Sequence, residues 1–200
     1  MKKLVSLILA GVMALSLAAC GGDTAPETTV PETTVPVTAA LVVETSALEI
    51  MENVWAKYAE DEKFAVIGGN MESPVDGAPG NYDMAYAENL TYNLLVPADQ
   101  LTDVDEAATM IHMMNANTFT SGVVHLTEGA DVAVFAEAMR DAIQGNMWMC
   151  GFPETLLVAS VYGEYVVIAF GVNDAMNPFM THFAEAYPEA EILFNEAVAG

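Results

Sequence analysis

Residues 155–171 read TLLVASVYGEYVVIAFG, two runs of aliphatic, β-branched and aromatic residues parted by a short turn at Gly163. Runs of this kind at this spacing predict a hairpin, Thr155–Val161 against Glu164–Gly171. Side chains alternate between the two faces of a strand. Tyr165, Val167 and Ala169 therefore share one face, and Val166, Ile168 and Phe170 the other. Neither face is polar. A sheet with one wet side alternates apolar with polar residues, so this hairpin needs cover on both sides. That requirement decides the fold.

Working outward, the same plan occurs twice. Strand candidates at 107–115 and 119–126 flank the turn-forming cluster Asn115-Ala116-Asn117. Gly129 and Asp131 then introduce a helix with Val132, Phe135, Ala136, Met139 and Ile143 on its apolar face. After the second hairpin, Pro178 is expected as the first helical residue behind Asn177, with Phe179, Met180, Phe183 and Tyr187 along one face. Strand, strand, helix, twice over, predicts an α+β fold: a four-stranded antiparallel sheet with both helices on one face. Residues 190–197 add a fifth, edge strand or a helical ending. Residues 44–61 place Leu48, Met51, Val54, Trp55 and Tyr58 at helical spacing, and Ser46 with Glu49 at capping-box spacing. This N-terminal helix is assigned to the second face, giving one domain over 44–198. Residues 84–94 predict a shorter helix ending before Pro97, and Gly68-Gly69, Pro74, Gly77 and Pro79-Gly80 mark a long loop.

The first 43 residues read as delivery rather than fold. Met1-Lys2-Lys3, the apolar stretch Leu4–Leu17 and the small pair Ala18-Ala19 form a secretory signal. Leu17-Ala18-Ala19-Cys20 resembles the lipobox of bacterial lipoproteins, which implies cleavage before Cys20 and diacylglycerol on its sulfur. An ordinary signal with an accidental cysteine is the alternative. Two or three acyl chains anchor stably where one is marginal. Pro26-Glu-Thr-Thr-Val30 is then copied as Pro31-Glu-Thr-Thr-Val35 within a 20–43 tract poor in large apolar groups. Such a tract cannot bury enough surface to offset its ordering entropy, so an extended tether is expected.

Charge and cysteine use narrow the function classes. Lys2 and Lys3 leave with the signal, so Lys57, Lys63 and Arg140 face 28 acids, a formal charge of −25 (3 − 28). Nucleic acid is excluded as a partner, because its phosphates would be repelled. The partners that remain are the membrane through lipid on Cys20, and an envelope protein or basic ligand. With Cys20 lipidated, Cys150 has no partner for a disulfide, and its apolar neighbours Met147, Trp148, Met149 and Phe152 predict a buried thiol.

The order Tyr92–Val96, Met110–Asn115, a helix carrying Arg140, Trp148–Glu154 and Gly163–Val167 is similar to domain-of-unknown-function family 4358. Its most distinctive strings are GFPE at 151–154 and YGEYVVIAFG at 162–171, within a match spanning 88–187. The resemblance implies a lipid-anchored protein of a Gram-positive bacterium. It brings no activity with it, and of the family helix's basic residues only Arg140 is kept here.

The candidate chemistry is sparse. Met110, His112 and Met114 share a strand face, and thioethers with imidazole suit Cu(I); Met147, Met149 and Cys150 could add soft ligands. Against this, methionine also fills cores well. Asp103, Asp105 and Glu106, and separately Asp76, Asn81 and Asp83, cluster oxygen ligands without the ordered spacing of a calcium loop. A zinc site would have to gather His112, His125 and His182, and a nucleophile pair would join Cys150 to His182. No nucleophile elbow, His-Glu-x-x-His or phosphate loop is present. The reading is a non-enzymatic, lipid-anchored binding or accessory domain at the cell membrane, facing outside the cytoplasm and needing no cofactor. A copper- or zinc-handling envelope lipoprotein is the alternative, and an envelope hydrolase ranks third.

Overall fold

The computed structural model describes residues 45–199; the signal, Cys20 and the tether lie outside them. Among the described residues the fold is α+β, with four α-helices and an eight-stranded antiparallel sheet. Three short strands, β1 (Val66–Gly68), β2 (Val75–Asp76) and β3 (Gly80–Asn81), precede five longer ones. These are β4 (Val104–His112), β5 (Phe119–Leu126), β6 (Thr155–Val161), β7 (Tyr165–Gly171) and β8 (Glu191–Ala197). The order across the sheet is β2-β1-β4-β5-β7-β6-β8, with β3 also paired to β4. The predicted hairpin is present with Val161 opposite Tyr165, and 190–197 resolves as the edge strand β8. Eight strands replace the expected four or five because the segment read as a loop adds β1 and β3 against β4 and β2 against β1, in pieces too short to show periodicity.

Helix α1 (Ala47–Trp55) starts where the capping spacing placed it. Glu49 N–H donates to Ser46 Oγ at 3.1 Å, and the Ala47 N–H donates to the Glu106 carboxylate at 3.0 Å. Both bonds satisfy orphan donors of the first turn. Helix α1 ends earlier than the expected 61, yet Tyr58 beyond it remains buried. Ile50, Met51 and Val54 are buried on its inner face, each contributing about 1.5–3 kcal/mol. A 3₁₀ turn at Met84–Asn89 and the one-turn α2 (Leu90–Asn93) stand in place of the helix expected at 84–94. Helix α3 (Val132–Gln144) is capped by Asp131, which accepts from Ala133 and Val134 N–H.

Helix α4 (Asn173–Ala186) begins five residues before the position predicted from Pro178, which lies inside it. Local pairing sets that start. The Asn173 N–H donates to the Glu154 carboxylate at 2.7 Å, and Thr155 Oγ1 donates to Asn173 Oδ1 at 2.7 Å.

The helices do not share a face as expected. Helices α1 and α4 cover the side bearing Met110, Phe119, Val167 and Ala169. Helix α3 and Leu90 and Leu94 cover the side bearing Val124, Val166, Ile168 and Phe170. The β5-α3-β6 connection steps over β7, and the β7-α4-β8 connection steps over β6, in the same direction along the sheet. Strands β5 and β7 run antiparallel. Two crossovers of one hand leaving antiparallel strands must pass on opposite faces. The two-sided apolar hairpin is thus covered, with α4 joining α1 where only α1 was expected.

Candidate binding cleft

The corner formed by β1, β2 and β3 holds the cleft. Three glycines permit it. A Cβ on Gly68 would lie 2.1 Å from Gly80 N, and one on Gly80 2.7 Å from Gly69 N, so the two backbones approach as no side chain would allow. Gly69 adopts φ +74°, the left-handed region that favours glycine. Its carbonyl accepts from the buried Thr109 Oγ1 at 2.7 Å, which fixes the turn to β4.

This turn drives the next residue, Asn70, inward, leaving it only 6% exposed. Asn70 Oδ1 accepts both from Ser73 N–H at 3.1 Å and from Ser73 Oγ at 2.8 Å. A backbone N–H can only donate, so it identifies the amide oxygen and fixes which way the amide lies. The other end, Nδ2, is buried and has no hydrogen-bond partner. A buried donor left unmade costs about 1–3 kcal/mol, and this corner carries that cost.

Asn70, Met71 and Asn93 line both lobes of the adjoining cleft. One lobe, of about 340 Å³, is floored by Ile67, Ile111 and Pro74. The other, of about 200 Å³, is walled by Glu72, Tyr82, Asn89 and Tyr92. Leu94, next to the lining residue Asn93, is fully buried and packs over Gly122, where a Cβ would lie 2.5 Å away. Asn93 Nδ2 donates to Tyr82 Oη at 2.9 Å. Burial first, and then the carboxylates of Glu72 and Glu88, push the Tyr82 phenol above its ordinary pKa against the lowering by Asn93, so it stays protonated. Among the described residues three other buried side-chain polar atoms lack hydrogen-bond partners, Tyr58 Oη, Trp148 Nε1 and His182 Nδ1, and none belongs to a residue lining either lobe. The cleft was invisible in sequence because its parts look like loop punctuation; the Gly68-Gly69-Asn70 string with Ser73 three residues on was its one local signal.

The sequence-predicted site residues are placed differently. Met110 is fully buried in the core beneath α1. His112 stacks on Phe64 at 5.8 Å between ring centres, and its Nδ1 accepts from Met114 and Asn115 N–H. Accepting at Nδ1 puts the imidazole proton on Nε2, so neither nitrogen is free to ligate a metal. Met114 is exposed, beyond the end of β4. Cys150 is exposed, not buried as expected. Its φ is +63° and that of Gly151 +140°. Asn115 Nδ2 donates to the Cys150 carbonyl, and Asn117 Nδ2 to those of Met149 and Gly151. Trp148, packed on Phe170, and the buried Pro153 take the inward places instead. The Met110–His112–Met114–Cys150 set is therefore not assembled, although the Met114 and Cys150 loops touch.

The remaining sets also separate. His125 lies opposite Glu106 in the β4–β5 register, six residues from His112, or about 20 Å along the strand. His182 packs against Tyr58 at 4.4 Å, beside Glu62 and Glu185, and no hydrogen bond joins it to Cys150. Asp105 pairs with His125 Nδ1 at 2.5 Å, Glu106 caps α1, and Asp83 caps the turn at Met84. Among the described residues no three His, Cys, Asp or Glu side chains are grouped to hold a metal ion.

No helix among the described residues is long and apolar enough to cross a membrane. The chain matches no protein-family model, no curated protein and no solved structure.

Proposed function

We propose that this chain is a lipid-anchored, extracytoplasmic binding domain without catalytic activity, and that its ligand is held in the Asn70 cleft. The carrying observation is the two-lobed cleft beside the Gly68–Asn70 turn, lined by Ile67, Ile111 and Pro74 in one lobe and by Asn89, Tyr92 and Glu72 in the other. Pockets of this kind, mostly apolar with a few fixed polar groups, are the usual form of a ligand site. The location rests on the basic start, apolar stretch and Leu17-Ala18-Ala19-Cys20 string.

Both halves are tested on the full chain expressed in a bacterium that processes lipoproteins. Metabolic labelling with an alkyne fatty acid is expected to mark the protein and to be lost in Cys20→Ser; an unlabelled protein free in the medium overturns the anchor. In amide spectra of the detergent-solubilised chain, envelope polysaccharide is expected to shift Gly69–Ser73 and Asn89–Asn93 together. Shifts confined to other surfaces overturn the cleft.

The metal-handling reading keeps one observation in its favour. Met113, Met114, Met147, Met149 and Cys150 are all exposed on two loops joined by Asn115 and Asn117. Anaerobic Cu(I) titration against bathocuproine disulfonate tests it: retention of the metal by the wild type, lost in Met114→Leu with Cys150→Ser, would displace the first reading.

A further inference from the structure

We infer that a second site, in the pocket between the β6–β7 turn and the end of α4, takes a quaternary ammonium group. It shares no lining residue with the Asn70 cleft and does not rest on it. Tyr162, Tyr187 and Glu189 line this pocket of about 130 Å³, with Val161, Ala186 and Pro188 as apolar walls. Drug-sized sites hold about 300–1,000 Å³, so this one admits a headgroup rather than a whole large ligand. The Tyr162 and Tyr187 rings stand 6.2 Å apart at 83°. Two rings at right angles make a corner walled by ring faces, and a ring face carries the negative side of the aromatic quadrupole. Cations seat against such faces within about 6 Å of the ring centre. Tyr187 is the floor: it is 8% exposed, and Asn53 Nδ2 donates to its Oη at 3.0 Å, which holds the ring. Tyr162 is the outer wall, 53% exposed. Its φ of +56° is uncommon for a bulky residue, yet the turn carries an aromatic there.

Charge and hydration select the class of cation. Glu189 is the one charged residue in the lining, and no basic side chain competes with a guest. Helix α4 ends at Ala186 with no basic residue in its last turn, so its negative dipole end stands uncompensated at the pocket. Pro188, two residues on, has no N–H to donate to the carbonyls left free there. Burial first, and then Tyr162 and Glu49, raise the Tyr187 phenol against the lowering by Asn53, so this ring stays neutral. A primary ammonium is strongly hydrated and brings three donors. Val161, Ala186 and Pro188 have no side-chain acceptor for them. A quaternary ammonium has no N–H, and its methyl groups meet apolar and aromatic walls without losing a hydrogen bond. The chain's large negative charge draws cations and repels solutes that carry a carboxylate or phosphate beside the ammonium.

The test uses the full chain in maltoside micelles, with amide spectra recorded against sodium chloride at equal ionic strength. The probes are choline, the isosteric alcohol with tert-butyl in place of trimethylammonium, and glycine betaine, which adds a carboxylate. Choline is expected to bind saturably and to shift Tyr162, Gly163, Tyr187, Glu189 and Ala190 together while leaving 69–73 in place. The alcohol and betaine are expected to bind at least about tenfold more weakly. Tyr162→Asn suits the left-handed backbone and removes the ring; it is expected to weaken choline at least about fivefold, and Tyr162→Phe to restore it. Glu189→Gln alters an exposed side chain and is expected to weaken choline about threefold and to flatten its salt dependence. Equal binding of the alcohol, or choline binding unchanged in Tyr162→Asn, overturns the inference. Shifts that never saturate, or that centre on other acidic surfaces, also overturn it, since they mark only a counterion atmosphere. Absence of choline binding overturns it outright and leaves the Asn70 cleft, read at 69–73, untouched.

Discussion

Two corners of the molecule are built from turns and asparagines, and they use their side-chain amides differently. At 113–117 and 147–152, Asn115 and Asn117 spend their side-chain amides on the carbonyls of Met149, Cys150 and Gly151. Both of these amide nitrogens are used, and Met114, Met147, Met149 and Phe152 stand in solvent, while the buried Trp148 Nε1 of the same segment has no partner. At the β1–β3 corner, Asn70 is buried and half used, and what is left over is a polar atom inside. Exposed side chains around a saturated backbone are free to adapt, as soft methionines do. The buried Asn70, held at its oxygen by Ser73, instead fixes the backbone of its turn, and the cleft opens beside that fixed corner.

Four predictions bear on this contrast, the largest first. Gly68→Ala would drive a Cβ into Gly80 N, 2.1 Å away. It is expected to cost about 3 kcal/mol in urea unfolding and to collapse the cleft. A loss under about 1 kcal/mol would mean that the corner yields and the contrast is overstated.

Alkaline pH comes next. Burial raises the phenols of Tyr58, Tyr82, Tyr165 and Tyr187 above their ordinary value. A group whose folded pKa is raised binds its proton more tightly in the folded state. The stability it lends is whole below the unfolded pKa, near 10, and falls as pH rises through the folded values. Unfolding midpoints are expected to be flat in these groups up to about pH 9 and to drop steeply above about pH 10. Absorbance of these tyrosinates at 295 nm should rise together with unfolding. Ionisation of all four in the folded chain would break the argument from burial.

Asn117→Ala removes two bonds to the 147–152 loop and is expected to cost about 1–2 kcal/mol. Hydrogen exchange should quicken at 147–152 and stay unchanged at 69–73, since the corners share no side chain. Spread of the effect to Asn70 would join what the comparison separates. The smallest effect belongs to Met147→Leu with Met149→Leu, both at exposed positions, expected to stay within about 0.5 kcal/mol of the parent.

The sheet was legible because Val166, Val167, Ile168 and Phe170 carry their burial in their own order. Phe135, Met139 and Ile143 did the same for α3, and Ser46 with Glu49 for the start of α1. The side on which each helix lies was harder to read, because it depends on strand order and direction, which are non-local. Pro178 misled for a related reason: Glu154, nineteen residues earlier, caps Asn173 and lets the helix begin before the proline. Cys150 misled because an apolar window does not say which of its members turns inward; Trp148 and Pro153 did. The corner beside the cleft depends on Thr109 reaching Gly69 across 40 positions, and Leu94, next to the lining residue Asn93, settles over Gly122. Neither partnership leaves a mark on nearby residues.

The two outer strands have a consequence for self-association. Strand β2 is only two residues long, and β8 ends the sheet's other side. A free strand edge is a template for a second chain. Here β8 carries Glu191 and Glu196, with Glu189 just before it, and Arg140 engages Glu196 at 3.0 Å from the adjoining helix. Two copies meeting along β8 would set carboxylate against carboxylate. The acidity of the chain thus also acts at short range as a guard on the sheet's margin, opposing the approach of neighbouring copies at high local density.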